Sequence, residues 1–174
     1  MLERLPKLID PVVFAENKRE LSGTIELHSL ARLKALLLDD AGSVELRLSF
    51  IKDGRLATIK GTVNATLVLS CQNCLEAIEV FVEAELLLAV VRSVDEVNRL
   101  PERYDPLYMK ENIITLNDMI EEELLLAVPA FPKHSYECFQ SQKFTDDDNT
   151  LEQAEKSASD NPFAILSKLK NTGD

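Results

Sequence analysis

Val44-Glu-Leu-Arg-Leu-Ser-Phe50, then Lys52-Asp-Gly-Arg55, then the unbroken run from Leu56 to Ser70 decide how this chain folds. Val44, Leu46, Leu48 and Phe50 alternate with Glu45, Arg47 and Ser49. Such a two-residue period puts every apolar side chain on one face of a strand and every polar one on the other. The Asp-Gly pair that follows suits a two-residue hairpin turn. The next strand spans Leu56 to Ser70, with Ile59, Val63, Ala65, Leu67 and Leu69 facing one way and Gly61 suggesting a bulge or bend. Cys71-Gln-Asn-Cys74 then turns the chain into a third strand, where Ile78, Val80, Val82 and Ala84 oppose Glu79, Glu83 and Glu85.

Working outward, Gly23 to His28 reads as a short strand, and Ser29 as the N-cap of a helix over 29–38 with a leucine stripe. Leu5 to Val13, punctuated by two prolines, reads as an extended segment able to join a sheet edge. Residues 92–112 read as irregular, with a short edge strand near Tyr104–Met109. A second helix is expected over 116–128, with Thr115 as N-cap, Leu116, Met119, Ile120, Leu124 and Val128 on its buried face, and Pro129 stopping it. Residues 140–160 are polar and acidic, too poor in apolar groups to offset the entropy of ordering. Beyond them, Asn161 and Pro162 start a short helix with Phe163, Leu166 and Leu169 on one stripe, suited to docking in a partner's groove. The expected fold is α+β: an antiparallel sheet with a long central hairpin (56–70 with 75–91), packed by two helices, with a flexible acidic C-terminal tail. The expected division is a single domain over 1–139 and a linker plus terminal helix over 140–174.

The 174 residues and a 45% hydrophobic fraction supply one core. No apolar run approaches the length that spans a bilayer, and Met1-Leu-Glu-Arg-Leu-Pro-Lys-Leu lacks the apolar stretch of a signal peptide. With three cysteines and no export signal, the expected compartment is the reducing cytoplasm. Net charge is −11 and uneven: residues 1–60 carry ten Lys/Arg against nine Asp/Glu, so nearly all the negative charge lies beyond. An acidic surface opposes phosphate-backbone binding, where cations must displace counterions, and favours a basic protein partner. No phosphate-binding loop, dinucleotide fingerprint or nucleophile elbow is present, and no small-molecule substrate or membrane is implied.

The cysteines have their own pattern. Cys71-x-x-Cys74 and His134-x-x-x-Cys138 use every cysteine and one of the two histidines. Two such pairs suit a tetrahedral zinc ion, provided tertiary structure closes a gap of about sixty residues, wider than a zinc finger's. Reduced, partly buried thiols and a redox pair are the alternatives. Placement of the Cys-x-x-Cys on a β-turn, away from any helix start in a βαβ unit, counts against the redox reading.

Five stretches in order are distinctive: Leu5-Pro-Lys-Leu-Ile-Asp-Pro11, Cys71-Gln-Asn-Cys74, Leu100-Pro-Glu-Arg-Tyr-Asp-Pro106, Glu123-Leu-Leu-Leu-Ala-Val-Pro129 and Asn161-Pro-Phe-Ala-Ile-Leu166. Together they resemble the YceD family, the large ribosomal RNA subunit accumulation proteins, over nearly the whole chain. The resemblance implies a non-enzymatic cytoplasmic factor needed for synthesis, processing or stability of 23S ribosomal RNA. On that reading the acidic half binds a basic ribosomal protein or a pre-ribosomal particle. The alternatives are direct RNA binding, through Arg47, Lys52, Arg55 and Lys60 around one hairpin, and a zinc-stabilised interaction module unrelated to ribosomes.

Overall fold

The structure, a computed structural model, describes residues 5–138. The expected acidic linker and terminal helix, with Phe163, Leu166 and Leu169, lie outside the described residues. Strands β1 (Leu8–Ile9), β2 (Glu20–Glu26), β3 (Ser43–Asp53), β4 (Leu56–Ser70), β5 (Ala77–Val91), β6 (Asp105–Tyr108) and β7 (Ile114–Thr115) are joined by short helices. These are α1 (Pro11–Glu16), α2 (Ala31–Lys34), α3 (Val94–Asn98) and α4 (Leu116–Ala127). The main sheet has the order β2-β3-β4-β5-β6, a meander in chain order, and β1 pairs with β7 apart from it. All its pairs are antiparallel except β5 with β6, which α3 and the following loop connect in parallel. The α+β class and the long central hairpin are as the alternation predicts.

The sheet buries one face along most of its length, and only near β6 are residues of the other face, Thr58, Ala89 and Val91, buried as well. Val44, Leu46, Leu48 and Phe50 of β3 join Ile59, Val63, Ala65, Leu67 and Leu69 of β4 and Val82, Ala84, Leu86 and Leu88 of β5. Each Val, Leu, Ile or Phe among them contributes about 1.5–3 kcal/mol on full burial. That face is covered by α1, whose Phe14 meets Phe50 edge to face at 5.2 Å, and by α4 through Leu116, Met119, Ile120 and Leu124. The register of β4 on β5 runs without a break from Thr58↔Ala89 to Ser70↔Ala77. A slip by one residue would turn Glu79, Glu83 and Glu85 into the core, so burial locks the pairing.

Three local expectations are corrected. Gly61 makes no bulge: Leu48↔Gly61 and Gly61↔Leu86 sit in continuous ladders. It is needed because a Cβ there would lie 2.1 Å from the carbonyl oxygen of Arg47. The helix expected over 29–38 shrinks to α2 behind a 3-10 turn at Leu27–Ser29. The reason is the sheet: the Leu38 N–H donates to Val68 O at 2.8 Å and Asp39 bridges Val68, pulling the chain out of helical geometry. The extended reading of the N-terminal segment holds for β1 alone. Asp10 caps α1 by accepting from the N–H groups of Val12 and Val13, with Pro11 at the first helical position.

A long-range contact seats α2. Leu30, at its N-cap, has no side-chain cap, and Glu121 of α4 supplies one from 88 and 89 residues away. Its Oε1 accepts from the N–H groups of Arg32 (2.7 Å) and Leu33 (3.0 Å), and its Oε2 accepts from Arg32 Nε (2.9 Å). Glu122 accepts from Arg32 Nη1 at 2.7 Å, so the two neighbouring acids share one guanidinium. Burial pushes the Glu121 carboxyl upward, but the N–H of Leu33 and both the side chain and N–H of Arg32 hold it below the ordinary 4.5. A carboxylate depressed in this way stabilises the fold above its unfolded pKa and loses that contribution as pH falls through the folded value. Glu121→Ala is expected to cost about 2–3 kcal/mol, since it leaves a helix uncapped and buried donors unmet. Chemical denaturation at neutral pH checks the size. The stability gap between wild type and Glu121→Gln should narrow as pH drops below the carboxylate range; a pH-independent gap would contradict the assignment.

Candidate metal centre at the hairpin tip

The β4–β5 hairpin ends in a six-residue knuckle closed by the Cys71 N–H donating to Glu76 O (2.8 Å) and the Leu75 N–H donating to Cys71 O (2.9 Å). Cys71 ends β4 fully buried, and its Sγ accepts from the N–H of Asn73 at 3.4 Å. The second pair arrives after α4, where Pro129 stops the helix and the chain runs back along the tip. Pro132 O accepts from the Gln72 N–H at 2.8 Å, fixing that return.

The four residues picked out by spacing converge. One ligand atom from each of Cys71, Cys74, His134 and Cys138 lies within 4.8 Å of all the others. Cys71 Sγ is 3.7 Å from Cys138 Sγ, and Cys74 Sγ is 3.5 Å from His134 Nδ1. A tetrahedral ion with ordinary zinc–sulfur and zinc–nitrogen lengths requires separations of about 3.8 Å between sulfurs and about 3.6 Å between sulfur and nitrogen. The observed distances match both, and the sulfur pair is far beyond the ~2.05 Å of a disulfide. The donor set therefore fits a four-coordinate metal. The ring of His134 also stacks on Tyr136, centroids 4.7 Å apart, which limits its rotation.

Electrostatics separate the thiols. The backbone N–H groups of Cys74, Asn73 and His134 aim at Cys71 Sγ and, against burial, pull that thiol down to about 5. Burial and the crowding of Cys71 and Cys74 push Cys138 up. One thiolate is thus prepared by the backbone, and three sulfurs packed together call for a cation to be ionised at once.

The site shows strain that sequence reading missed. Leu75, directly after the second cysteine, sits at φ 64° in the left-handed region and is exposed. A glycine is ordinarily used there, and no pattern of apolar residues signals the need. Elsewhere, an open groove of about 840 Å³ on the outer sheet face is lined by Arg47, Lys60, Glu20 and Glu85 among others. Two carboxylates accompany its two cations, and Lys52 is bound by Glu16 at 2.8 Å. No helix among the described residues is long and apolar enough to cross a membrane.

A mostly antiparallel sheet whose longest hairpin ends at three cysteines and a histidine at tetrahedral spacing defines a small α+β domain with a Cys/His knuckle. The family described as large ribosomal RNA subunit accumulation protein YceD matches residues 59–170. A large ribosomal RNA subunit accumulation protein YceD from Haemophilus influenzae is 32% identical over 173 residues, covering 96% of this chain and 97% of its own length. No solved structure matches the chain. The chain belongs to the YceD family.

Relief of the strained position gives a direct check. Leu75→Gly is expected to raise the unfolding free energy by up to about 1 kcal/mol, and Leu75→Val, β-branched in the left-handed region, to lower it by at least as much. Thermal unfolding of the two variants beside wild type reads both signs.

Proposed function

We propose that this protein is a non-enzymatic ribosome biogenesis factor, needed for the synthesis, processing or stability of 23S ribosomal RNA. It acts by binding a basic ribosomal protein or a pre-ribosomal particle in the cytoplasm. The observation that carries this reading is membership of a family named for large ribosomal RNA subunit accumulation, whose model matches residues 59–170, with a relative of that name aligned over 96% of the chain. The outer groove, with charges of both signs and no histidine or cysteine among its lining residues, supports binding rather than catalysis. The net charge of −11 favours a basic protein over bare RNA. Phe163, Leu166 and Leu169 are proposed as a second contact with the partner.

Zinc is the proposed occupant of the knuckle. Cys71, Cys74, His134 and Cys138 would hold it, and its role would be to tie the chain after α4 to the hairpin tip without entering any reaction. Protein purified without chelator is expected to contain close to one equivalent of zinc by elemental analysis. Cys74→Ser should lose most of it and melt at lower temperature. Metal-free wild type with unchanged melting would sink the zinc reading.

Pull-down from cell extract, with and without ribonuclease, tests the partner. Recovery of the same large-subunit proteins after ribonuclease is the expected result. Loss of every partner after digestion would favour direct RNA binding. Depletion of the protein should lower 23S relative to 16S ribosomal RNA, and an unchanged ratio would contradict the function.

A further inference from the structure

Strand β5 is bordered by β4 from Ala77 to Ala89, but β6 pairs only with Leu88 to Val91. Among the described residues no strand or backbone hydrogen bond meets the other edge of β5 over 77–87. The ladder's phase says which groups are left there. Cys71 and Glu76 form a bonded pair at the tip, and Val91 O accepts from the Met109 N–H on the β6 side. Alternation between these fixed points turns the N–H and C=O of Glu79, Phe81, Glu83 and Glu85 away from β4, toward the open edge. Their side chains stand on the exposed outer face, Phe81 at 65% exposure.

Such an edge is a template for another strand, and proteins ordinarily blunt it with lysine, proline or a bulge. This one has none of these: the ladder is continuous and 77–87 contains no Lys, Arg or Pro. Its charge is wholly acidic, and Glu79, Glu83 and Glu85 join no ion pair among the described residues. A second copy of the chain added here would set Glu against Glu, which is unfavourable. An incoming strand with Lys or Arg at every second position would instead place its cations on the same face as those three carboxylates, with an apolar residue near Phe81.

We propose that residues 77–87 of β5 capture an extended basic polypeptide segment as an added strand, with cations alternating along it. This deepens the reading of the protein as a factor that binds a basic ribosomal protein, and rests on that reading only for the natural source of the segment. The backbone edge supplies affinity and the acid row supplies register and selectivity.

The test uses the full-length protein and, as probe, a synthetic peptide of matching length that alternates Lys with Thr and Val; a second peptide of the same composition groups its lysines together. Amide hydrogen exchange is read residue by residue. The expected result is slowing of Glu79, Phe81, Glu83 and Glu85 by about tenfold or more with the alternating peptide and less with the grouped one. Glu83→Pro removes an outward N–H and leaves the β4 ladder intact, and E79K/E83K/E85K reverses the charge without touching the backbone. Each should weaken peptide binding by about tenfold or more. Binding without protection of those amides, or binding unchanged in both variants, overturns the proposal. Co-sedimentation with large-subunit precursors separates the two claims. If wild type and both variants sediment alike, the edge proposal fails and the assembly reading stands. If wild type takes the peptide at the edge but never sediments with precursors, the edge stands and the assembly reading fails.

Discussion

The pairing of β4 with β5 is the constraint from which the rest of this domain follows. Thirteen consecutive cross-strand pairs run in unbroken register from Thr58↔Ala89 to Ser70↔Ala77. A hairpin that long cannot be held by its own ladder in water. It is held because one face carries Ile59, Val63, Leu67, Val82 and Leu88 into a core closed by α1, α2 and α4. In its middle only glycine fits at position 61, because a Cβ there would lie 2.1 Å from the Arg47 carbonyl oxygen. At its tip Gln72, Asn73, Leu75 and Glu76 are exposed. At that tip the fully buried Cys71 meets Cys74, His134 and Cys138, bringing the chain that follows α4 against the hairpin.

The two long-range fastenings work on different physics. Glu121 meets backbone N–H groups and a guanidinium, so it joins α4 to α2 by charge-assisted hydrogen bonds and depends on ionisation. The knuckle brings together three sulfurs and an imidazole whose mutual contacts, Cys71 Sγ to Cys138 Sγ at 3.7 Å and Cys74 Sγ to His134 Nδ1 at 3.5 Å, are weak sulfur hydrogen bonds. The middle of α4 therefore seats α2 through Glu121, and the chain leaving its C-terminal end reaches the tip. Helix α4 is the brace between core and site, which is why its buried face includes a glutamate among leucines and isoleucine.

Much of this was legible in the sequence wherever a period or a spacing carried it. The alternation in β3, β4 and β5 placed the strands, and the Cys-x-x-Cys and His-x-x-x-Cys spacing named all four residues that converge. The Asp53-Gly54 pair marked the turn, with Gly54 at φ 61° in the first central position. What stayed hidden was set by partners distant in sequence. The leucines over 30–38 have helical spacing, yet Leu36 and Leu38 are exposed because the chain is drawn onto β4 by Val68. Glu121 reads as a solvated acid, since nothing near it announces the uncapped turn it serves. Asp10 and Pro11 did announce α1, but the same proline pattern also fits an extended segment, and only Val12 and Val13 donating to Asp10 decides it. Terminal positions outside residues 5–138 leave the Phe163/Leu166/Leu169 stripe as a sequence expectation.

The family name ties the chain to large ribosomal RNA subunit accumulation, and the knuckle brings the chain that follows α4 to the hairpin tip. The account therefore stands or falls most directly on what lies between Cys71, Cys74, His134 and Cys138. X-ray absorption at the zinc edge, on protein purified without added metal or chelator, reads that shell directly. The account predicts three sulfur scatterers at about 2.3 Å and one nitrogen at about 2.0 Å. A zinc-free sample, or a shell of oxygen and nitrogen alone, would contradict it.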